Sequence, residues 1–193
     1  MRRYARPFAI AALAIGIVSS PRHIVSRPAT DFVHFESGHV HPAALTPSGD
    51  RLLVVNTPNA RLAVFDVTGP QPVKLADVPV GLEPVSVAAL TDAEAWVVNH
   101  LSDDVSVVDL ATLNVRATLR VGDEPADVVF ANGRAYVSVS QYDQVRVYDP
   151  RTLQRIASIP IGARMPRALA RSPDGSRVFV AGFHAGNRTS VLS

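Results

Sequence analysis

The chain has 193 residues, 47% hydrophobic and 19% charged, with no cysteine and a formal net charge of +2. This hydrophobic share excludes a disordered chain, and the length suits one domain with a sizeable core. The absence of cysteine excludes disulfides, thiolate metal sites, a cysteine nucleophile and covalently attached c-type haem.

Residues 1–20 are interpreted as an export signal. Three arginines precede an apolar run from Phe8 to Val18. This run is too short to cross a bilayer core of about 30 Å as a helix, but it is typical of a signal-peptide core. Cleavage after Ser20, cleavage nearer Gly16, or retention as an anchor all remain open. We therefore expect a periplasmic or secreted protein that touches the membrane only if this segment is uncleaved.

The charge balance gives no support for a nucleic-acid partner. Removing the three arginines of the export signal from the 19 basic residues leaves 16, against 17 acidic residues. A chain near neutrality lacks the electrostatic footprint of a nucleic-acid-binding protein. The expected partner is an unknown protein or small ligand.

Residues 21–36 form a lead-in, and a repeat of about 40 residues follows over 37–193. The lead-in contains one predicted strand, Asp31 to Glu36. Prolines recur at positions 42, 84, 125 and 166, and apolar runs and strand-ending aspartates recur at the same period. The repeat units lie near 37–79, 80–120, 121–160 and 161–193.

Each unit is predicted to contain four short strands. In the second unit these are Val85 to Leu90, Ala95 to Asn99, Val105 to Asp109 and Val115 to Val121. Valine-rich segments bounded by polar turns are typical of strands. Four strands in about 40 residues are typical of a propeller blade, whose apolar faces are buried only when blades stack. The sequence therefore predicts an all-β propeller, with Trp96, Phe130, Tyr136 and Phe179 packed between blades.

The sequence resembles the YVTN-type β-propeller repeat proteins over residues from about 31 to 193. The resemblance rests on the Gly-x-x-Pro-like connectors, on the turn Ser172 to Gly175, and on the segments Trp96 to Asn99 and Asp104 to Asp109. It implies a propeller of about seven blades, whereas about four blades' worth of sequence is present. The favoured interpretation is an open arc of a larger propeller. The alternative is a four-bladed ring in which the lead-in strand completes the last blade.

Some polar residues recur in every unit and others do not. Asp66, Asp109 and Asp149 each end a third strand, and this repetition favours a turn-stabilising role over an active site. His39 and His41 have a spacing that a metal site on one strand face would require, but ordinary connector roles are favoured and no metal is expected. The candidate ligand-binding residues at the channel mouth or rim are His41, Glu83, His100, Glu124, Arg164, Arg167 and His184.

Three functions are compatible with these features. The favoured one is an exported, non-catalytic binding scaffold, with no catalytic residue and no cofactor. A second, which rests on the resemblance alone, is the N-terminal propeller of a larger exported c-type-haem redox protein. A third is a propeller lyase or hydrolase that uses His41, His100, Arg164 and Arg167.

Overall fold

The computed structural model describes residues 37–184 of the chain. The predicted export signal and the predicted strand at Asp31 to Glu36 lie outside this range. Within it, the secondary structure consists of β-strands apart from one 3-10 turn at Ser140–Tyr142. In this part of the chain no helix is long and apolar enough to cross a membrane.

Fourteen strands form four antiparallel sheets in chain order over residues 37–184. The first sheet comprises β1 Ala43–Leu45, β2 Arg51–Asn56, β3 Arg61–Asp66 and β4 Val73–Pro79. The second comprises β5 Pro84–Thr91, β6 Glu94–Asn99, β7 Asp104–Asp109 and β8 Asn114–Arg120. The third comprises β9 Pro125–Ala131, β10 Arg134–Val139, β11 Gln144–Tyr148 and β12 Arg155–Pro160. The fourth contains β13 Arg164–Arg171 and β14 Val178–His184.

Each strand pairs with the next one along the chain, as in a propeller blade. The all-β fold and the four-stranded units predicted from the sequence are thereby confirmed. The exact boundaries of the repeat units remain a prediction.

The core lies between neighbouring sheets. One buried cluster joins the first and second sheets around Leu53, Val64 and Val97. Another joins the second and third sheets around Trp96, Val107 and Val137. Burying such side chains contributes about 25 cal/mol per Å² of apolar area, which a single sheet could not gain alone. Stacking of sheets is therefore what makes each sheet stable.

The aromatic residues predicted to pack between sheets differ in how deeply they are buried. Trp96 is fully buried and meets the ring of Phe130 edge-on at 5.5 Å, across the boundary between two sheets. Tyr136 is partly buried. Phe179 is 55% exposed, so the prediction that it packs in the core is wrong. It has the same register position in β14 as Trp96 in β6, but no following sheet lies against it within residues 37–184.

The strand-ending aspartates hold turns, as predicted. Asp66 accepts the backbone N–H of Thr68, Asp109 that of Ala111, and Asp149 that of Arg151, each at 2.8 Å. These donors lower the pKa of Asp66, chiefly through the Thr68 hydroxyl, and that of Asp109, chiefly through the Thr112 N–H. Repetition along the chain therefore correctly marked a structural role.

The turn before β14 makes stability depend on pH. The hydroxyl of Ser172 and then the N–H and hydroxyl of Ser176 donate to Asp174 and lower its pKa from 3.8 to about 2. A lowered folded-state pKa adds stability above the unfolded value, and this contribution is lost as the pH falls toward the folded value. We expect Asp174→Asn to lower the Tm at pH 6, and the Tm difference from wild type to shrink as the pH is lowered from about 4 to about 2.

Thermal unfolding between pH 2 and 7 measures this difference. Asp50→Asn is the matched control, because Asp50 is exposed in the equivalent turn of the first sheet and its carboxylate makes no hydrogen bond among residues 37–184. A Tm difference for Asp174→Asn that stays constant with pH would contradict the prediction.

Candidate functional site

The innermost strands of the second, third and fourth sheets begin at a connector and contain a bulge. In the second sheet Pro84 pairs with Asn99 and Ser86 with Val98, so that Val85 is the extra residue. The same irregularity makes Ala126 the extra residue in the third sheet. A bulge bends a strand and turns neighbouring side chains out of the regular alternation. The residue directly after the bulge, Ser86 or Asp127, is buried in both sheets.

Asp127 is a fully buried carboxylate. Its Oδ1 accepts the Ser86 hydroxyl at 2.6 Å and the Val128 N–H at 2.9 Å. Its Oδ2 accepts the Leu169 N–H at 2.6 Å and lies 2.8 Å from Nδ1 of His41. Both oxygens act as acceptors, which is the pattern of an ionised carboxylate. A buried charge of this kind is tolerated only when it is fully hydrogen-bonded.

Three of these contacts connect the third sheet with residues of the other three sheets or their connectors. Asp127 lies on β9, Ser86 on β5 and Leu169 on β13, and His41 precedes β1. No sequence motif marked Asp127, and it is absent from the residues selected above. It is the polar exception in the apolar segment from Ala126 to Phe130, and the other units carry no acidic residue at this position.

The register shows how His41 reaches this point. Ala43 pairs with Val54, just as Val87 pairs with Val97 in the second sheet. The N–H of Val55 donates to the carbonyl of Pro42, so Pro42 occupies the register position of Ser86 and Asp127. His41 therefore corresponds to the bulge residues, and the alignment of Pro42 with the connector prolines is wrong by two residues. His39, not His41, occupies the position of Glu83 and Glu124.

A cavity of about 340 Å³ adjoins His41. The innermost strands of all four sheets contribute to its wall, which makes it the central channel of this part of the chain. Apart from His41, the wall consists of alanine, valine and leucine: Ala43, Ala44, Val87, Ala88, Ala89, Val128, Val129, Leu169 and Ala170. The His41 side chain is 50% exposed while its partner Asp127 is 0% exposed. The pair thus has one buried end and one accessible end.

The arrangement of His41 and Asp127 fixes the histidine tautomer. An ionised carboxylate accepts only, so the proton of a neutral His41 lies on Nδ1. The other ring nitrogen, Nε2, then carries a free lone pair. A histidine oriented by a buried carboxylate in this way can take a proton from water and return it to a leaving group.

His100 has a structural role instead. Its Nδ1 contacts the carbonyl of Pro125 at 2.8 Å, across the boundary between the second and third sheets. Thr57 and Ser140, at the same position in the other sheets, donate to the carbonyls of Pro84 and Pro166 at 2.6 and 3.0 Å. The residue after each second strand therefore fastens the next sheet at its connector. Nε2 of His100 lies 3.9 Å from Glu124, too far for a hydrogen bond.

Glu83 and Glu124 stand at a position constrained by the backbone. Both have left-handed φ values, 51° and 52°, as does Met165 at the equivalent site with 52°. The Glu124 carboxylate accepts the side-chain amide of Gln141 at 2.7 Å. Their carbonyl groups accept the N–H of His100 and of Ser140, respectively. The predicted ligand-binding role of Glu83 and Glu124 stays a prediction.

The remaining candidates, Arg164, Arg167 and His184, lie on the fourth sheet. Arg164 and His184 face each other in the β13–β14 register, and Arg164 is 3.7 Å from Asp143. Arg167 donates to the carbonyl of Gly38 at 2.8 Å. It lines a second cavity, of about 410 Å³, together with Ser37, Gly38, His39, Met165 and Phe183. The structure therefore brings none of these three into the cavity that adjoins His41.

The two closely spaced histidines have different partners. Nε2 of His39 contacts the hydroxyl of Thr57 at 2.5 Å, whereas Nδ1 of His41 contacts Asp127. Within residues 37–184, no group of three or more His, Asp or Glu side chains is arranged to hold a metal ion.

Known structures resemble this arrangement of sheets. Hydrazine synthase from Kuenenia stuttgartiensis has a TM-score of 0.70 and 25% identity, over 83% of this chain and 46% of that one. A functionally unknown protein from Desulfotomaculum acetoxidans has values of 0.66 and 16%, over 75% and 49% of the two chains. A protein from Bacteroides uniformis, named a putative 6-phosphogluconolactonase, has values of 0.63 and 18%, over 76% and 51%. The chain thus spans about half the length of the structures it matches.

At identities below 25%, the last two similarities show the fold alone. No protein of curated function matches the sequence. These structures share the arrangement of sheets, and they do not confirm the finer YVTN-type assignment.

A family model described as "Lactonase, 7-bladed beta-propeller" matches residues 33–192, which is most of the chain. This match overturns the prediction that the protein is not an enzyme, because it points to a hydrolase. Three full sheets and a strand pair within residues 37–184 fit a part of such a propeller. The chain belongs to the family of seven-bladed β-propeller lactonases.

Proposed function

We propose that this chain hydrolyses a lactone, with His41 as the general base and Asp127 as the residue that positions it. The observation that carries the proposal is the 2.8 Å hydrogen bond between a half-exposed histidine and a fully buried carboxylate, at a cavity, in a member of a lactonase family. Pairs of this kind are the usual means by which a protein activates water for attack on an ester.

The proposed reaction uses both nitrogens of His41. Nε2 of His41 takes a proton from water as the oxygen attacks the carbonyl carbon of the lactone, and a tetrahedral intermediate forms. The ring C–O bond then breaks, and the protonated His41 returns its proton to the departing alkoxide. One water is consumed and one hydroxy acid is formed. Asp127 keeps the proton of the neutral ring on Nδ1 and stabilises the imidazolium that forms in between.

We also propose that the reaction takes place outside the cytoplasm. The support for this is the sequence alone, namely the arginines and the apolar run within residues 1–20.

Acid release from a simple lactone tests the proposed function. We expect the purified full chain to hydrolyse γ-valerolactone and γ-octalactone at a rate proportional to protein concentration, measured in a pH-stat at pH 7.5. The spontaneous rate in buffer is the control. Hydrolysis no faster than this background for either lactone would overturn the proposal.

A redox role is the second candidate. It is supported by the structural similarity to hydrazine synthase, which has the highest of the three TM-scores given above. The experiment that separates it is the absorption spectrum of the protein isolated from its own organism. A haem Soret band that co-purifies with the chain would favour the redox role, and its absence would remove this candidate.

A further inference from the structure

We infer that the lactone taken by this chain carries a hydrocarbon substituent, rather than the hydroxyl groups or the phosphate of a sugar lactone. This inference rests on the proposed function at His41. It is argued from the wall of the cavity that adjoins this residue, and it concerns the part of the substrate that does not react.

The wall of the 340 Å³ cavity has one polar side chain, that of His41. A cavity of this volume is within the range of small-molecule sites, which is about 300–1,000 Å³. Apart from His41, the side chains that substrate hydroxyl groups would meet there are those of alanine, valine and leucine. Each hydroxyl group buried without a partner lowers affinity by about tenfold or more. A polyhydroxylated ring is therefore a poor fit beside His41.

A second cavity adjoins this wall. A neighbouring cavity of about 320 Å³ shares Ala88, Ala89 and Val129 with it and continues past Leu90 and Phe130. The side chains that the two cavities share line one short apolar passage that begins at His41, and beyond them the second cavity is more polar than apolar. Pro47 and the exposed Arg171 lie at its far mouth. A hydrocarbon chain attached to the lactone ring would lie along this passage while the ring stays at His41.

Two arginines of the fourth sheet lie outside the cavity beside His41, and a third, Arg171, lies only at the far mouth of the passage. Arg167 lines the separate 410 Å³ cavity with His39 and Met165, and its guanidinium donates to the carbonyl of Gly38. Arg164 is 81% exposed and lies near Asp143. Neither arginine lines the cavity beside His41, so an anionic substituent next to the reacting ester would find no cation there. Hydrocarbon is the chemistry that the wall accepts.

A series of lactones tests this inference on the full chain. We expect kcat/KM to rise by about fourfold for each methylene added from γ-valerolactone to γ-octalactone, because each buried methylene gains that factor in apolar transfer. Glucono-1,5-lactone and its 6-phosphate are expected to react at least about 100-fold less efficiently than γ-octalactone, because their hydroxyl groups would be buried unpaired. A kcat/KM that is independent of chain length, or is higher for either sugar lactone, would overturn the inference and leave the proposed function standing.

A variant that shortens the passage gives an independent check. Ala170 lines the cavity and is exposed, so Ala170→Leu narrows the passage without disturbing the core. We expect it to lower kcat/KM for γ-octalactone by about tenfold more than it lowers kcat/KM for γ-valerolactone. Ala111→Leu, in an exposed turn outside the cavity, is the matched control. An unchanged chain-length dependence in Ala170→Leu would overturn the inference.

Binding measurements separate the failure of this inference from the failure of the proposed function. The 3-alkylcyclopentanones keep the ring of the lactones and the position of the chain, with CH₂ in place of the ring oxygen, and have no ester to hydrolyse. Isothermal titration calorimetry is expected to show affinity rising with chain length for the wild type and less steeply for Ala170→Leu. If the ketones bind in this way while no lactone is hydrolysed, the hydrolytic function fails and the apolar passage stands. If they bind without any dependence on chain length, the passage is refuted whatever the activity.

Discussion

Replacing His41 with glutamine is expected to lower kcat for lactone hydrolysis by about 10²–10⁴-fold, which is the usual contribution of a positioned general base. Glutamine retains a donor that can reach Asp127, but it has no basic nitrogen at the position of Nε2. KM is expected to change little, because the apolar wall that holds the substrate is untouched. Steady-state kinetics on γ-octalactone measures both constants.

Stability is expected to change much less than activity. The His41 side chain is 50% exposed and supplies one of the four contacts of Asp127, so its loss should cost about 1 kcal/mol. His184→Gln is the matched control, because His184 is an exposed histidine at the end of β14, outside the cavity. A kcat for His41→Gln within about threefold of the His184→Gln value would show that His41 is not the base.

The fold could be predicted from the sequence because the repeat presents the same physical requirement several times. The strand predicted at Ala95 to Asn99 is found at Glu94–Asn99, and the strand predicted at Val105 to Asp109 is found at Asp104–Asp109. Turn residues also predicted where a hairpin lies. Asn132 and Gly133 have φ values of 50° and 71°, which the two-residue hairpin between β9 and β10 requires.

The site was harder to predict, because a bulge is not visible as a sequence period. Pro42 resembles the connector prolines in its spacing, yet its register position is that of Asp127. Because the true register differs from the predicted one by two residues, His41 lies at the position of the bulge residues. There it contacts the Asp127 carboxylate on another sheet. No pattern along one strand encodes a contact between residues 86 positions apart.

Comparing the repeat units for polar residues that do not recur would have identified Asp127. A residue repeated in every unit holds a turn, whereas a polar residue that occurs in one unit at an otherwise apolar position needs another explanation. His100 shows the opposite case. The sequence has histidine at this position in one unit only. Thr57 and Ser140 nevertheless contact a connector proline carbonyl from the same position, so the role of His100 is repeated although its residue type is not.

Replacing Asp127 with asparagine is expected to lower the free energy of unfolding by about 2–5 kcal/mol. The amide has one acceptor atom in place of two. If its NH₂ takes the Oδ2 position, it faces Nδ1 of His41 and the N–H of Leu169. If it takes the Oδ1 position, it faces Ser86 and the N–H of Val128. A donor meets donors in both orientations, and the sheets lose their common contact.

The same substitution separates positioning from stability. Without the carboxylate, the proton of a neutral His41 is no longer fixed on Nδ1, so kcat is expected to fall by about 10²–10⁴-fold with KM nearly unchanged, at a temperature where the variant is folded. Nitrogen-15 NMR of the histidine ring is expected to show the Nδ1–H tautomer in wild type and a mixture in Asp127→Asn. A purely structural role would not move the tautomer.

Asp123→Asn is the matched control for this prediction, because Asp123 is exposed in the connector four residues before Asp127. Urea unfolding followed by circular dichroism is expected to give Asp123→Asn a free energy within about 0.5 kcal/mol of wild type. A double-mutant cycle of Asp127→Asn with Ser86→Ala is expected to give a coupling energy of about 0.5–3 kcal/mol, as is usual for residues in one buried network. If Asp127→Asn matches Asp123→Asn in stability and keeps the wild-type tautomer, Asp127 neither joins the sheets nor positions His41, and the proposed base loses its orienting partner.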